Sequence, residues 1–205
     1  VRTLSDISQV NTYMGDYAEG ALSQAVNTPE RNRLAVKAYL DHAAGRQTLV
    51  FAVDVKHTTD LLAQFRAAGV PAGMVVGSTD RNVRKAIVRA YREGRIQVLV
   101  NCMVLTEGFD APETSCVIMA RPTKSSLLFT QMIGRGTRIA TGKVDLLVLD
   151  LVDVASKAGV QTVNTLFGLP PKLRLDGATD ALGALKFMDS HQAPLDMLGE
   201  ASSLE

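Results

Sequence analysis

Five short apolar runs alternate along this chain with segments of helical length, and this alternation restricts the folds that the chain can adopt. Each run is apolar at consecutive positions, as in a strand that is buried on both faces. Buried strands joined by helices are typical of a parallel sheet covered by helices. We therefore predict an α/β fold, a parallel sheet flanked by helices on both faces, with strands at residues 47–53, 72–76, 96–101, 115–120 and 144–151.

The segments between these runs have helical spacing. In residues 56–68, Leu61, Leu62 and Phe65 fall on one helical face, and Gly69 stands where a helix end favours glycine. Right-handed connections would bring the carboxyl ends of all the strands to one edge of the sheet, and such an edge commonly binds ligands. Helices are predicted at residues 29–44, 56–68, 80–93, 125–133 and 178–189.

The two ends of the chain differ from its middle. Residues 1–28 show little alternation, and Gly168, Pro170 and Pro171 mark a boundary near the other end. We therefore expect one domain over residues 29–168, preceded by a lead-in segment at residues 1–28. Residues 169–205 form a C-terminal extension whose role the pattern does not indicate.

The charge of the chain leaves its binding partners open. The 205 residues include 22 basic and 21 acidic side chains, so the formal net charge is only +1. Many nucleic-acid-binding domains have a basic excess, but a local row of donors is enough to hold a phosphate backbone. No apolar run reaches the roughly 18 residues that cross a membrane, and no membrane partner is expected.

Cysteine and histidine are scarce. Cys102 and Cys116 both lie in apolar runs, and the chain has three histidines. Neither a disulfide framework nor a metal site is predicted from so few residues. Buried, reduced thiols favour a reducing compartment. We expect a cytoplasmic protein, with association with the nucleoid left open.

The stretch with the most chemical information is residues 131–138, which read QMIGRGTR after an amphipathic helix. Arg135 and Arg138 could point two guanidinium groups at one polyphosphate, since guanidinium stays charged and donates bidentately to phosphate oxygens. Gly134 and Gly136 would let the backbone turn so that the two groups converge. The same residues also fit two solvated arginines at the end of a surface helix, so this stretch alone does not decide.

A second informative stretch, residues 105–112 (LTEGFDAP), follows the third apolar run. At the ligand edge of the sheet, the Thr106 hydroxyl and the Gly108 amide suit phosphate oxygens, and Asp110 could accept a hydrogen bond from a ribose hydroxyl. As an alternative, Glu107 and Asp110 could cap the loop or pair with nearby arginines.

Taken in this order, the motifs resemble those of superfamily 2 helicases. The branch related to the nucleotide-excision-repair helicase and the mitochondrial DNA helicases reads VLVN, LTEGFD, RPT and QMIGRGxR, and its motif IV is similar to LVFAVDVKH. The resemblance implies the second, C-terminal RecA-like lobe of a DEAD/DEAH-like helicase, a P-loop NTPase fold without its own Walker A motif. The matching segments here are residues 49–57, 98–101, 105–110, 121–123 and 131–138.

The resemblance also implies roles for individual residues. In the family, two arginines of the last motif approach the γ-phosphate of ATP from across a cleft, so Arg135 and Arg138 look like arginine fingers. Gln131 resembles the residue that senses the nucleotide and supports them. Thr106 is similar to the threonine that contacts the nucleic-acid backbone. The further nucleotide-binding residues implied are Glu107, Gly108, Asp110 and Gly134.

Other residues near the strand ends are expected to hold nucleic acid. Gly77, Ser78 and Thr79 follow a strand and open a helix, where backbone amides bind phosphate, although an ordinary Ser/Thr helix cap fits them equally. Contacts of this type hold the phosphate backbone and read no sequence. The remaining predicted backbone contacts are Lys56, His57, Arg121, Thr123 and Lys124.

Two motifs of such ATPases are absent from the sequence. It contains no GxxxxGK[ST] motif and no DExx or DExH box, which in ATPases of this kind hold the β- and γ-phosphates and Mg²⁺. In the family these groups lie on the N-terminal RecA-like lobe of the same polypeptide. We therefore expect a piece of an ATP-dependent helicase that starts just after that lobe. It would share ATP with that lobe, leave Mg²⁺ to it, and have no ATPase activity by itself.

Two other functions remain open at this point. A stand-alone RecA-like domain would be a non-catalytic binding or scaffold module, although it would have no use for converging phosphate ligands. A doubly wound enzyme, such as a glycosyltransferase or dehydrogenase, would be expected to carry GxGxxG after its first strand, which this chain lacks. The motifs do not distinguish DNA from RNA, although the branch that they resemble favours DNA.

Overall fold

The computed structural model describes residues 1–102, 111–154, 159–169 and residue 183. The chain divides into two compact units, residues 1–160 and residues 161–205. The first unit begins with β1 (Arg2–Asp6), β2 (Thr12–Tyr13), β3 (Asp16–Tyr17), α1 (Glu19–Val26) and α2 (Pro29–His42). It continues with β4 (Thr48–Phe51), α3 (Val55–Ala67), β5 (Ala72–Val75), α4 (Arg81–Arg92) and β6 (Val98–Asn101). Its last elements are β7 (Cys116–Met119), α5 (Ser126–Gly134), β8 (Leu147–Asp150) and β9 (Val152–Val154), and the second unit contains α6 (Val163–Leu166).

The main sheet has five strands in the order β5-β6-β4-β7-β8, and every pair of neighbours is parallel. All residues of β4, β6 and β7 are buried. Burial on both faces explains why these strands are continuous apolar runs, because neither face meets water. The predicted α/β fold with a parallel sheet is confirmed, and all five predicted strands are present.

Helices cover both faces of this sheet, as predicted. Val50 and Ile118 lie in adjacent strands and pack in one apolar cluster with residues of α2 and α3. Side chains of the next register row point to the other face. There, a Cβ added to Gly73 of β5 would lie 3.5 Å from the Ile87 side chain of α4.

The helix ends follow the local signals in the sequence. The four helices predicted between residues 29 and 133 are present, each with ends within two residues of the prediction. Gly69 follows α3 with φ of +76°, and Gly94 follows α4 with φ of +73°. These left-handed conformations favour glycine, which confirms the predicted end of α3 at Gly69.

The first residues of the chain form structure that we did not predict from the sequence. β1 pairs with β9 in parallel, so that Arg2 lies opposite Val152. Ile7, Tyr17 and Leu22 pack in a second apolar cluster with Val53, which follows β4. This pairing joins residues at the two ends of the unit, and local alternation carries no signal for it. The division of the chain at residues 28 and 168 stays a prediction.

The predicted helix at residues 178–189 lies outside the described residues except for residue 183, as does the extension beyond residue 169. None of the helices in the described part of the chain has the length and hydrophobicity needed to span a bilayer.

The packing between α2 and α3 supports a first prediction. The rings of Tyr39 and Phe65 meet edge to face with centroids 5.6 Å apart, and Phe65 is fully buried. Phe65→Ala should lower the free energy of unfolding by about 3–5 kcal/mol, because it leaves a cavity in the core. Leu40→Ala, at an exposed site on α2, should cost less than about 1 kcal/mol. Urea denaturation measures both, and equal losses would show that this contact does not anchor the helices.

Candidate functional site

The predicted site residues lie at two opposite edges of the main sheet. One group follows the carboxyl ends of the strands: Lys56, His57, Gly77, Ser78, Thr79, Arg121, Thr123 and Lys124. The other group lies at the end of α5, which returns toward the amino ends of the strands. A Cβ on Gly136 would lie 2.9 Å from Val117 of β7 and 2.4 Å from Leu146, the residue before β8. The structure therefore does not bring the two groups together.

Residues 134–138, called the arginine segment below, begin at the last residue of α5. Arg135 is the C-cap of this helix, and its N–H donates to Met132 O at 3.3 Å. Arg135 is half-buried, whereas Arg138, Gln131 and Gly134 are exposed. The segment thus presents polar groups at the surface of the unit, where a molecule outside it could meet them.

The glycines of this segment do not act as we predicted. Neither Gly134 nor Gly136 has a left-handed φ, so neither residue is needed for a sharp turn. Gly136 is required for space instead, because a Cβ would collide with the Leu146 and Val117 side chains. This close packing fixes the distance between the sheet and the backbone that lies between Arg135 and Arg138.

At the carboxyl edge, a carboxylate that we did not predict organises the segment from Arg121 to Lys124. Asp16 of β3 accepts hydrogen bonds from Thr123 Oγ1 at 2.8 Å and from Lys124 N at 2.8 Å. It also forms an ion pair with Arg121 at 3.5 Å. These partners are more than a hundred residues from Asp16 along the chain, so no local motif could have revealed them.

This arrangement corrects two predicted backbone contacts. Arg121 is only 6% exposed and also donates to Val53 O, and Thr123 is fully buried. Both side chains therefore hold the edge of the main sheet to Asp16 of β3, and they are not available to a phosphate strand. Lys124 is half-buried, with its ammonium 5.0 Å from the centre of the Tyr17 ring, and it remains a candidate contact.

His57 also differs from its predicted role. The side chain is fully buried, and Nδ1 accepts a hydrogen bond from Val53 N–H at 3.3 Å. Nε2 therefore carries the proton and donates to Asn32 Oδ1 at 3.1 Å. A side chain that is enclosed in this way cannot touch a nucleic-acid backbone. Lys56, one residue earlier, is exposed and forms an ion pair with Asp60 at 2.7 Å.

His57 belongs to a chain of hydrogen bonds that runs from the end of β4 to the surface. Asn32 Nδ2 donates to Asn27 Oδ1 at 2.8 Å, and Asn27 Nδ2 donates to Asp60 Oδ2 at 2.7 Å. Burial lowers the pKa of His57 to about 3, and the nearby Arg31 guanidinium acts in the same direction. The imidazole is therefore neutral near pH 7, and its two nitrogens connect strand and helix.

The turn before α4 is only partly available for phosphate. Asp80, rather than Ser78 or Thr79, caps the helix, and its Oδ1 accepts from the N–H groups of Asn82 and Val83. The carboxylate occupies these amides and would repel an anion, so the first turn of α4 does not offer them to a phosphate. Gly77 and Ser78 are exposed and remain candidate contacts, whereas the Thr79 hydroxyl accepts from Val76 N–H.

Four predicted residues, Thr106, Glu107, Gly108 and Asp110, lie outside the described residues. Their flanks are described: Cys102 follows β6 at the carboxyl edge, and Ala111 leads to β7 at the amino edge.

The amino edge also contains a cavity of about 360 Å³ that we did not predict. Arg46 crosses its wall, forming an ion pair with Asp145 and donating to Ser115 O at 3.2 Å. Glu113 and Lys143 line it as well, so the lining carries both signs of charge. Ala140, two residues beyond the arginine segment, also lines this cavity.

Comparison with known families matches residues 31–140 to the helicase conserved C-terminal domain. The match covers more than half of the chain, from α2 to just beyond the arginine segment.

Two fungal proteins are similar to the chain over most of its length. IRC3 of Saccharomyces cerevisiae, which carries the name of an ATP-dependent helicase, is 34% identical over 183 residues, or 87% of this chain and 26% of IRC3. The irc3 protein of Schizosaccharomyces pombe, named as a mitochondrial ATP-dependent helicase, is 43% identical over 136 residues, or 66% of this chain and 22% of that protein. The chain thus spans about a quarter of the length of these relatives.

Solved structures show the same architecture. The C-terminal domain of the DEAD-box protein Dbp5 superposes with a TM-score of 0.55 at 19% identity, covering 80% of this chain and 93% of that domain. At this identity the likeness concerns the fold alone, and it confirms the predicted RecA-like arrangement.

Burial of neutral His57 predicts a pH-dependent stability. The unfolded state takes up a proton near pH 6.5, and the folded state does so only near pH 3. Between these values the unfolded state binds more protons, so this contribution is complete above pH 6.5 and decreases as the pH falls. From pH 6 to pH 4, wild type should lose up to about 1.4 kcal/mol per pH unit more than His57→Gln. Urea denaturation across this range measures the difference, with the exposed His42→Gln as control; parallel wild-type and His57→Gln profiles would contradict it.

The Asp16 contacts predict a stability loss of their own. Asp16→Ala should lower the free energy of unfolding by about 2–3 kcal/mol, because it leaves the buried Arg121 without its carboxylate. Asp41→Ala removes a carboxylate from an exposed ion pair with Lys37 and should change the urea midpoint little. Equal shifts of the two midpoints would show that the carboxyl edge does not depend on Asp16.

Proposed function

Because the chain belongs to the family of helicase conserved C-terminal domains, we propose that it is the second RecA-like lobe of an ATP-dependent helicase or translocase acting on nucleic acid. The observation that carries this proposal is the arginine segment, held against the sheet at Gly136 with Arg138 and Gln131 exposed beside it. Both relatives described above are named as ATP-dependent helicases.

In this proposal, ATP binds between this lobe and an N-terminal RecA-like lobe that supplies the phosphate cradle and Mg²⁺. Arg135 and Arg138 reach the γ-phosphate when the lobes close, and Gln131 supports them. A guanidinium in this position stabilises the charge that develops on the transferred phosphoryl group, an effect of about 10³- to 10⁵-fold in other NTPases. The exposure of Arg138 supports the assignment, because the ligand must come from outside this unit.

The carboxyl edge is the proposed place for the nucleic-acid backbone. Lys56, Gly77, Ser78 and Lys124 are exposed or half-buried there, and Thr106 completes the set by resemblance. Their amide, hydroxyl and ammonium groups suit phosphate oxygens and read no sequence. His57, Arg121 and Thr123 are buried at this edge and stabilise it through hydrogen bonds within the domain. DNA is favoured over RNA by the resemblance to the excision-repair branch.

The arginine segment and the proposed nucleic-acid contacts lie at opposite edges of the sheet. This placement fits a protein that couples ATP hydrolysis to movement along nucleic acid. ATP can change the grip on a strand only if the closed and open states differ in affinity for it. An arginine segment that meets phosphate only on closure provides such a difference, and the sheet between the two edges provides a rigid connection. The alternative, a non-catalytic binding or scaffold module, gives the arginine segment no ligand.

Arg138→Ala tests the finger assignment in the full-length protein that contains this chain. Turnover of ATP in the presence of nucleic acid should fall by about 10³-fold or more, while ATP affinity stays within a few-fold. The isolated chain should hydrolyse no ATP. Arg33→Ala removes an exposed arginine of α2 and should leave turnover unchanged.

Three outcomes distinguish the possibilities. Unchanged turnover in Arg138→Ala would refute the finger assignment. A full-length protein whose ATP hydrolysis does not respond to DNA or RNA would favour the scaffold module. Stronger stimulation by RNA than by DNA of equal length would overturn the preference for DNA.

A further inference from the structure

Lys143 lies in the turn that follows the arginine segment, and its ammonium group contacts three main-chain carbonyls. Nζ donates to Arg138 O at 2.7 Å, to Pro112 O at 3.4 Å and to Gly136 O. An ammonium group has three N–H donors, so these carbonyls match its full donor capacity. The Lys143 side chain therefore links the main-chain carbonyls of three other residues to one another.

The three carbonyls belong to two segments of the chain. Gly136 and Arg138 are part of the arginine segment, whereas Pro112 follows residues 103–110, which carry the other predicted nucleotide contacts. These segments are separated in sequence by β7 and α5. One ammonium group thus ties together the backbone of both.

Surface charge pairing does not account for this placement. The nearby carboxylate, Asp145, forms its ion pair with Arg46. Burial lowers the pKa of Lys143, as expected for an ammonium group that has exchanged part of its water shell for carbonyls. A lysine that served only for solubility would extend into water instead.

The two ends of the arginine segment are held by different contacts. Gly136 packs against Val117 and Leu146 on the side of the sheet. Beyond it, Arg138 is exposed and the Ile139 side chain is 95% exposed, so apolar packing does little to fix this end of the segment. The Lys143 ammonium reaches the carbonyls of both Gly136 and Arg138 and so spans this end.

We infer that Lys143 is a positioning residue of the nucleotide site, which holds the arginine segment in the orientation that lets Arg138 meet the γ-phosphate. This inference rests on the function proposed above. Lys143 itself touches no substrate in this scheme and acts through Arg138. Since a misplacement of about 1 Å can reduce catalysis by as much as 10²-fold, loss of this restraint should affect turnover more than binding.

The test uses the full-length protein with Lys143→Met, which keeps the length of the side chain and removes its donors. We expect kcat for nucleic-acid-stimulated ATP hydrolysis to fall about 10- to 100-fold, with KM for ATP within about 3-fold of wild type. Lys143→Arg, which keeps charge and donors, should recover part of the loss. Lys37→Met removes an exposed lysine of α2 and should behave as wild type.

A double variant separates positioning from a general structural role. If Lys143 acts through Arg138, single-turnover rates of Lys143→Met/Arg138→Ala should equal those of Arg138→Ala alone. Additive losses would overturn the inference, as would wild-type kcat in Lys143→Met. If Lys143→Met melts well below wild type, Lys143→Gln replaces it; melting of both well below wild type would show a purely structural role and also overturn the inference. Failure of wild type to hydrolyse ATP would instead refute the proposed function.

Discussion

In a parallel sheet that is buried on both faces, each strand must satisfy its main-chain hydrogen bonds with its neighbours, because no water is available to do so. β4 meets this condition by pairing along its whole length with β6 and β7. The five strands are also parallel, so their carboxyl ends share one edge and the connecting helices return to the opposite edge. Both candidate surfaces follow from this one constraint. The carboxyl edge offers loops such as Gly77 and Ser78, and the end of α5 places the arginine segment at the amino edge.

Local features of the sequence predicted most of this architecture. The apolar runs, Gly69 after α3 and the helical spacing of Leu61 and Phe65 act within a few residues of each other. Two other features join residues that are far apart in the chain, so no short sequence pattern contains them. They are the pairing of β1 with β9 and the contacts of Asp16 with Arg121 and Thr123. Residue type was misleading at the carboxyl edge. Arginine, threonine and histidine suit phosphate contacts, but they equally suit buried polar links, and only their burial distinguishes the two roles.

The buried His57 side chain has a complete set of hydrogen-bond partners. His57 uses both ring nitrogens, and the amides of Asn32 and Asn27 continue its hydrogen bonds to Asp60 at the surface. The neutral imidazole follows from this enclosure, since a second ring proton would meet the Val53 N–H. Such links specify one arrangement of strand and helix, whereas apolar packing alone tolerates small shifts. The loops that they support at the carboxyl edge are therefore set by the interior of the domain.

The lack of space around Gly136 has a consequence in genetic terms. Every missense change at this codon adds at least a Cβ atom, which would meet the methyl groups of the half-buried Leu146 and of the fully buried Val117. Such a change would leave Arg135 and Arg138 intact in the sequence while displacing the backbone that carries them. Such a variant changes no side chain that could reach a phosphate, yet it alters the packing of the backbone between the two arginines.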